Sequence, residues 1–243
     1  MPGMLWLLAV LLAGFAAPAA ADEFTARQRG EIVEIVRAAL KADPTILRDA
    51  IATLQEAESR QQQAAARTAI AGLGDTLTHA SGDPVDGNPQ GDVTLVEFFD
   101  ARCPYCRRML PVMAELLARD RGLRVVYKDI PILGPSSMLA AKALLAAQAQ
   151  GGYLKLMAAV MTGPADITTE SLRSAAAKTG LDWERLQQDM AEPAVQQRIE
   201  ANLALAHKLD IEGTPAFVIG GRLLPGALGL ADLQAAVAEA RKK

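Results

Sequence analysis

The chain has 243 residues with a formal net charge of −3, a balance that excludes the strongly basic footprint of a nucleic-acid binder. Aromatic residues at 4% leave no base-stacking platform either. Hydrophobic residues at 51% against 22% charged exclude a disordered chain, and the length suffices for one sizeable domain plus an accessory element.

Met4 to Ala21 is apolar, Ala- and Leu-rich and free of charged side chains, and it ends in Pro18-Ala19-Ala20-Ala21 before Asp22-Glu23. The apolar part is too short and too rich in small residues for a membrane anchor, so residues 1–21 read as a secretory signal peptide cleaved near Ala21. The competing reading is a retained anchor, because no Lys or Arg precedes the apolar stretch. Export places the chain where disulfides form and persist.

From about Thr25 to Gly72 the chain is rich in Ala, Glu, Gln and Arg. Ile32, Ile35, Val36, Ala39 and Leu40 follow helical spacing, Asp43-Pro44 marks a break, and Ile46, Leu47, Ala50, Ile51 and Leu54 resume the pattern. Two amphipathic helices, or one kinked element, are expected. Gln55 to Arg67, with glutamines at 61, 62 and 63, has hardly any large apolar residue and reads as a solvated helix or spacer. The apolar stripe either folds back on its own domain or pairs with copies of itself. The spacer favours self-association, since a tethered helix pair is too small to hold a core alone.

Gly82 to Gly91 reads as loops around a short extended piece. Val93 to Phe99 is a buried strand, Pro104 to Arg119 a helix and Leu123 to Lys128 a second strand, together a βαβ unit. Helices are expected over Met138–Gln150, Tyr153–Met161, Thr168–Thr179, Asp182–Met190 and Pro193–Leu209. A hairpin over Ala216–Ile219 and Arg222–Leu224 and a closing helix over Leu230–Arg241 complete an α/β sheet with helices inserted between its two halves. Leu139, Leu144, Leu154, Leu172 and Trp183 on the inserted helices are expected core residues.

Only two cysteines occur, and they sit together as Cys103-Pro104-Tyr105-Cys106 directly after the Val93–Phe99 strand. A strand feeding a C-x-x-C at a helix start is a redox dithiol, because the free N–H groups and dipole of the helix stabilise a thiolate. Two intervening residues bring both sulfurs into bonding range, and Pro104 suits the first helical position. Cys103 is therefore expected to be the exposed attacking sulfur, and Cys106, one turn into the helix, the more buried resolving thiol. A structural disulfide competes poorly, because so short a loop removes little chain entropy. Structural zinc lacks ligands, since His79 and His207 have no metal-like spacing. Cu(I) held by the two thiolates stays open as an alternative.

Glu97-Phe98-Phe99-Asp100, Cys103-Pro104-Tyr105-Cys106, Gly213-Thr214-Pro215-Ala216-Phe217 and the helical block between them together resemble the thioredoxin-fold disulfide oxidoreductases of the DsbA type, over roughly Pro84 to Lys243. The helical N-terminal extension, with Gly87-Asn88-Pro89, looks most like the ScsC branch, named for suppression of copper sensitivity. The resemblance implies an α/β thioredoxin fold with a helical insertion at about 136–210 within a catalytic domain 76–243. Residues 22–75 would form an N-terminal helical oligomerisation region and spacer, with a trimer favoured. It also implies a periplasmic location, misoxidised protein substrates, no cofactor, and a membrane-bound thiol reductase of the ScsB/DsbD type as redox partner.

By the same resemblance Pro215 is a cis proline facing the dithiol, and the Thr214 backbone binds the substrate chain in strand fashion; read from the residues alone, Gly-Thr-Pro before a strand is a turn. Glu97, a carboxylate inside an apolar strand, is either an edge residue turned to solvent or, as the family implies, a buried acid with a raised pKa that takes the proton of Cys106. Lys128 on the neighbouring strand is its expected charge partner. Tyr105 departs from the histidine of the oxidase DsbA, and an uncharged residue there implies a weaker oxidant, as in the relatives DsbC and DsbG. The expected activity is a disulfide isomerase or reductase; a DsbA-like dithiol oxidase and a non-enzymatic Cu(I)-binding protein are the alternatives.

Overall fold

A computed structural model describes residues 24–242, so the expected signal peptide, residues 1–21, lies outside the described residues. The chain divides into two compact units between Ala57 and Glu58.

In the first unit, α1 (Ala26–Ala42) starts at Thr25, which forms a capping box with Gln28. α2 (Thr45–Leu73) begins where the Asp43 carboxylate accepts from the Thr45 backbone N–H at 2.9 Å, so the chain breaks at Asp43-Pro44 as its sequence predicts. No residue of α1 is buried. Ile32, Ile35, Val36, Leu40, Ile46, Leu47, Ile51 and Leu54 all lie more than a third exposed, an apolar stripe left largely open among the described residues.

The second unit takes up α2 from Glu58 onward. It continues with α3 (Asp75–Thr78), β1 (Val85–Gly87), β2 (Val93–Phe99), α4 (Pro104–Arg119) and β3 (Leu123–Asp129). Five helices follow: α5 (Pro135–Ala146), running into a 3₁₀ turn, α6 (Tyr153–Thr162), α7 (Thr169–Thr179), α8 (Trp183–Met190) and α9 (Pro193–Lys208). β4 (Ala216–Ile219), β5 (Arg222–Pro225) and α10 (Leu230–Ala240) close the chain. The sheet order is β1-β3-β2-β4-β5, with β2 and β3 parallel across α4 and the other pairs antiparallel. The β4–β5 turn uses Gly220 and Gly221 at φ +55 and +78, the left-handed pair a tight two-residue hairpin requires. This is the α/β thioredoxin fold with its helices inserted between the βαβ half and the hairpin half.

Strand alternation sorts the core onto two faces. Leu95, Phe99, Val125 and Tyr127 pack with Cys103, Cys106 and the inserted helices, where Leu144, Leu156, Leu172 and Leu186 are buried and Leu139, Leu154 and Trp183 pack on the margin. Val96, Phe98, Val126 and Val218 form the other face, covered by Leu77 and α9 residues Leu205 and Ala206. Ala69, Ile70 and Leu73 pack there as well, so the end of α2 belongs with the second unit. The expected solvated spacer is thus split. Ala66 is buried and Gln63 Nε2 donates to the Leu223 carbonyl at 2.9 Å, because small side chains let this helix approach the sheet closely enough for a side-chain amide to reach strand backbone.

Candidate active site

The backbone around the dithiol is fixed by Asp100. Its carbonyl accepts from the Cys103 N–H at 2.9 Å, and its buried carboxylate accepts from the N–H groups of Arg102 at 2.8 Å, Ile132 at 3.0 Å and Leu133 at 3.1 Å. One side chain thereby ties the β2–α4 turn to the loop after β3. Cys103 is the N-cap of α4 and Pro104 its first residue, where a missing N–H costs nothing. The Cys103 sulfur thus sits against the positive end of the α4 dipole. Arg107 donates to the carbonyls of Ala101, Gly163 and Pro164, joining the turn to the α6–α7 loop of the inserted helices.

Cys103 is 5% exposed and Cys106 fully buried. Cys103 is the more accessible sulfur, but it is not the openly exposed one the sequence predicts. The reason is 111 residues away in sequence: the Thr214–Pro215 segment lies across it, and the Cys103 Sγ donates to the Thr214 carbonyl at 3.2 Å. The Thr214–Pro215 peptide bond is cis. Burial drives the Cys106 thiol well above its ordinary value, an effect the Cys103 and Glu97 charges increase and the Asp100 backbone opposes.

Glu97 is 3% exposed on the dithiol face of β2. Desolvation pushes its carboxyl up to about 8. The expected Glu97–Lys128 pair does not form. In the parallel register Glu97 aligns with Tyr127 while Lys128 aligns with Phe98, so the two side chains leave the sheet on opposite faces. The Lys128 ammonium instead meets the Asp83 carboxylate at 2.5 Å, and Asp83 also takes Arg198 at 3.1 Å. Burial pulls the Lys128 pKa down, against the pull of Asp83.

Tyr105 is 53% exposed, with the Arg108 guanidinium 4.3 Å from its ring centroid. Sequence reasoning passed over Asp100, Arg107 and Asp129 as working residues. Asp129 is buried on the dithiol face, accepts from the Tyr153 hydroxyl at 2.8 Å, and is raised to about 7 by desolvation. Only the Phe98-Phe99-Asp100 motif hinted at any of the three. Among the described residues no group of three or more His, Cys, Asp or Glu is placed to hold a metal ion. No described helix is long and apolar enough to cross a membrane.

The model of the DSBA-like thioredoxin domain family matches residues 94–238, more than half of the chain. The chain belongs to the DSBA-like thioredoxin domain family. A thioredoxin-like oxidoreductase from Silicibacter pomeroyi is 44% identical, covering 70% of this chain and 98% of its own, with a TM-score of 0.69. Proteus mirabilis ScsC in a transitional conformation is 30% identical over 90% of this chain and 97% of its own, with a TM-score of 0.67. Among curated relatives, a Na(+)/H(+) antiporter NhaA of Salinispora tropica is 30% identical over 160 residues, 65% of this chain. The chain spans about a quarter of that protein's length. The fold is that of the DSBA-like thioredoxin domain, shared with the Proteus mirabilis ScsC structure.

Proposed function

We propose that this DSBA-like protein is a periplasmic thiol-disulfide oxidoreductase that works as an isomerase or reductase on misoxidised proteins. One observation carries the reading: a more accessible sulfur caps a helix against the Thr214 carbonyl, while its partner sulfur is sealed one turn away beside a buried acid. The Cys103 thiolate attacks a substrate disulfide, forming a Cys103–substrate bond and expelling one substrate thiolate. In isomerisation that thiolate attacks another disulfide of the same substrate, and the substrate thiolate freed there attacks the substrate sulfur of the Cys103–substrate bond, so that a new substrate disulfide forms and Cys103 leaves as a thiolate with no net change in electrons. In reduction Cys106 loses its proton and attacks the Cys103 Sγ. The internal disulfide forms, the substrate leaves as a second thiolate, and two electrons have passed to it. Glu97, poised near neutrality, receives the Cys106 proton.

The Thr214 and Pro215 backbone holds the incoming chain, Pro104 sets the helix start, and the half-exposed Tyr105 supplies no cation, which supports a weaker oxidant than a histidine at that position. The oxidised pair then needs an external dithiol donor, assigned here to a membrane-bound thiol reductase of the ScsB/DsbD type. The open stripe on α1 and the start of α2 supports a homo-oligomer, for which a trimer is the state proposed. Each large aliphatic side chain fully buried on assembly contributes about 1.5–3 kcal/mol.

Trapping decides the chemistry. Cys106→Ser should accumulate a mixed disulfide with a protein substrate at Cys103, seen as a mass increase that dithiothreitol removes, and Cys103→Ser should accumulate none. Equal behaviour of the two variants refutes the roles assigned to them.

A further inference from the structure

A cleft of about 740 Å³ opens within the second unit, beside the Thr214–Pro215 loop. One wall is the part of α2 beyond Glu58, where Gln62, Ala65 and Ala69 share a helical face. The chain from Leu209 to Pro215 forms the opposite wall, and Leu223 and Pro225 of β5 line the side between.

We propose that this cleft is a binding subsite for the polypeptide that flanks the substrate cysteine, and that it takes an extended segment of neutral or basic character. The inference rests on the oxidoreductase reading above and extends it to a surface distinct from the dithiol. Three observations carry it.

The cleft begins at the residues that touch the reactive sulfur. Thr214, whose carbonyl accepts from the Cys103 Sγ at 3.2 Å, and Pro215 both line it, so a chain joined to Cys103 stands at its mouth. The interior also suits backbone rather than a bulky ligand. Ala65, Ala66 and Ala69 leave room for a main chain to approach α2, and the longer α2 side chains that line the cleft, Glu58 and the glutamines at 61, 62 and 63, are all polar. The Gln63 amide spends its Nε2 on the Leu223 carbonyl and leaves its buried Oε1 without a partner. An unmet acceptor is costly when dry, and a backbone N–H of an extended chain is the donor that would satisfy it. Strand addition to β5 is blocked at this point, since Leu223 is already bonded and Pro225 has no N–H to offer. The incoming chain is therefore read by a side-chain amide rather than by the sheet edge.

The rim sets the charge preference. Glu58, Asp210 and Glu212 stand exposed there against the single Lys208, an excess of acid that attracts lysine- or arginine-bearing segments.

The test uses the full chain carrying Cys106→Ser and two short single-cysteine peptides, one alanine- and lysine-rich, the other alanine- and glutamate-rich. Each is activated as a mixed disulfide with nitrothiobenzoate. Attack by the Cys103 thiolate forms the Cys103–peptide disulfide and expels the coloured nitrothiobenzoate thiolate, while the Cys103 proton passes to buffer. The lysine peptide should react several-fold faster than the glutamate peptide at low salt, with the gap closing at high salt. Amide hydrogen exchange over residues 58–69 should slow in the lysine-peptide adduct. Adding Ala65→Trp should lower the ratio of the lysine-peptide rate to the rate with dithiobisnitrobenzoate by about tenfold. An adduct that forms with unchanged exchange over 58–69 and an unchanged ratio in Ala65→Trp overturns the cleft while leaving the dithiol chemistry intact. Absence of any nitrothiobenzoate release overturns the oxidoreductase reading and the cleft with it.

Discussion

Replacing Glu97 with Gln probes the site at its most costly residue. The carboxyl is buried among apolar neighbours and titrates near 8 in the fold, against 4.5 ordinarily. A raised acid binds its proton more tightly in the folded than in the unfolded chain, so stability is full below the unfolded value and falls as pH rises toward the folded one. At about 1.36 kcal/mol per pH unit, the loss approaches 5 kcal/mol above pH 8 and is about 3 kcal/mol near pH 7, as upper limits. Gln keeps the shape and cannot ionise. The reduced wild-type protein should therefore lose stability more steeply between about pH 5 and pH 8 than Glu97→Gln, which keeps only the fall that the raised Asp129 contributes to both proteins, and the two curves should diverge by a few kcal/mol. Urea midpoints across that range measure it. The same substitution removes the acceptor for the Cys106 proton, so resolution of a Cys103 mixed disulfide should slow by about 10²-fold, while the first attack by Cys103 changes little. Parallel stability curves for the two proteins refute the buried ionisable acid, and an unslowed resolution step refutes its role in proton transfer.

Other substitutions separate architecture from chemistry. Asp100→Ala orphans the N–H groups of Arg102, Ile132 and Leu133; it should cost about 2–4 kcal/mol and speed alkylation of Cys103 as the turn loosens, read by thermal melts and iodoacetamide labelling. Asp83→Asn leaves the Lys128 ammonium buried and uncompensated, at about 3–5 kcal/mol in urea unfolding, and because Lys128 faces away from the dithiol, mixed-disulfide formation at Cys103 should keep its rate. A chain beginning at Glu58 should sediment as a monomer with its thiol chemistry retained and its isomerase activity reduced; an intact protein that already sediments as a monomer contradicts the oligomer.

The sequence carried the local features well. Val93–Phe99 and Pro104–Arg119 fall where apolar run and proline placement put them, because both depend on residues within a few positions. The Asp43-Pro44 break and the Gly220-Gly221 turn were legible for the same reason. What escaped depends on distant chain: Thr214 covers Cys103 from 111 residues away, and Gln63 reaches Leu223 across 160. The Glu97–Lys128 pairing failed on register. The residues lie on neighbouring strands, but a one-residue offset sends the lysine to the other face, where Asp83 waits on a loop that composition alone marks merely as polar. Arg107 and Asp100 act by bonding backbone carbonyls and amides of remote loops, and such partners leave no trace in side-chain patterning.

Reactivation of scrambled ribonuclease, run beside oxidation of reduced ribonuclease, tests the central claim most directly. The intact protein, supplied reduced, should restore ribonuclease activity from the scrambled form. That activity should vanish with Cys103→Ser and fall in the chain beginning at Glu58. Strong oxidation of reduced ribonuclease without reactivation, indifferent to the truncation, contradicts the isomerase and makes the dithiol an oxidant.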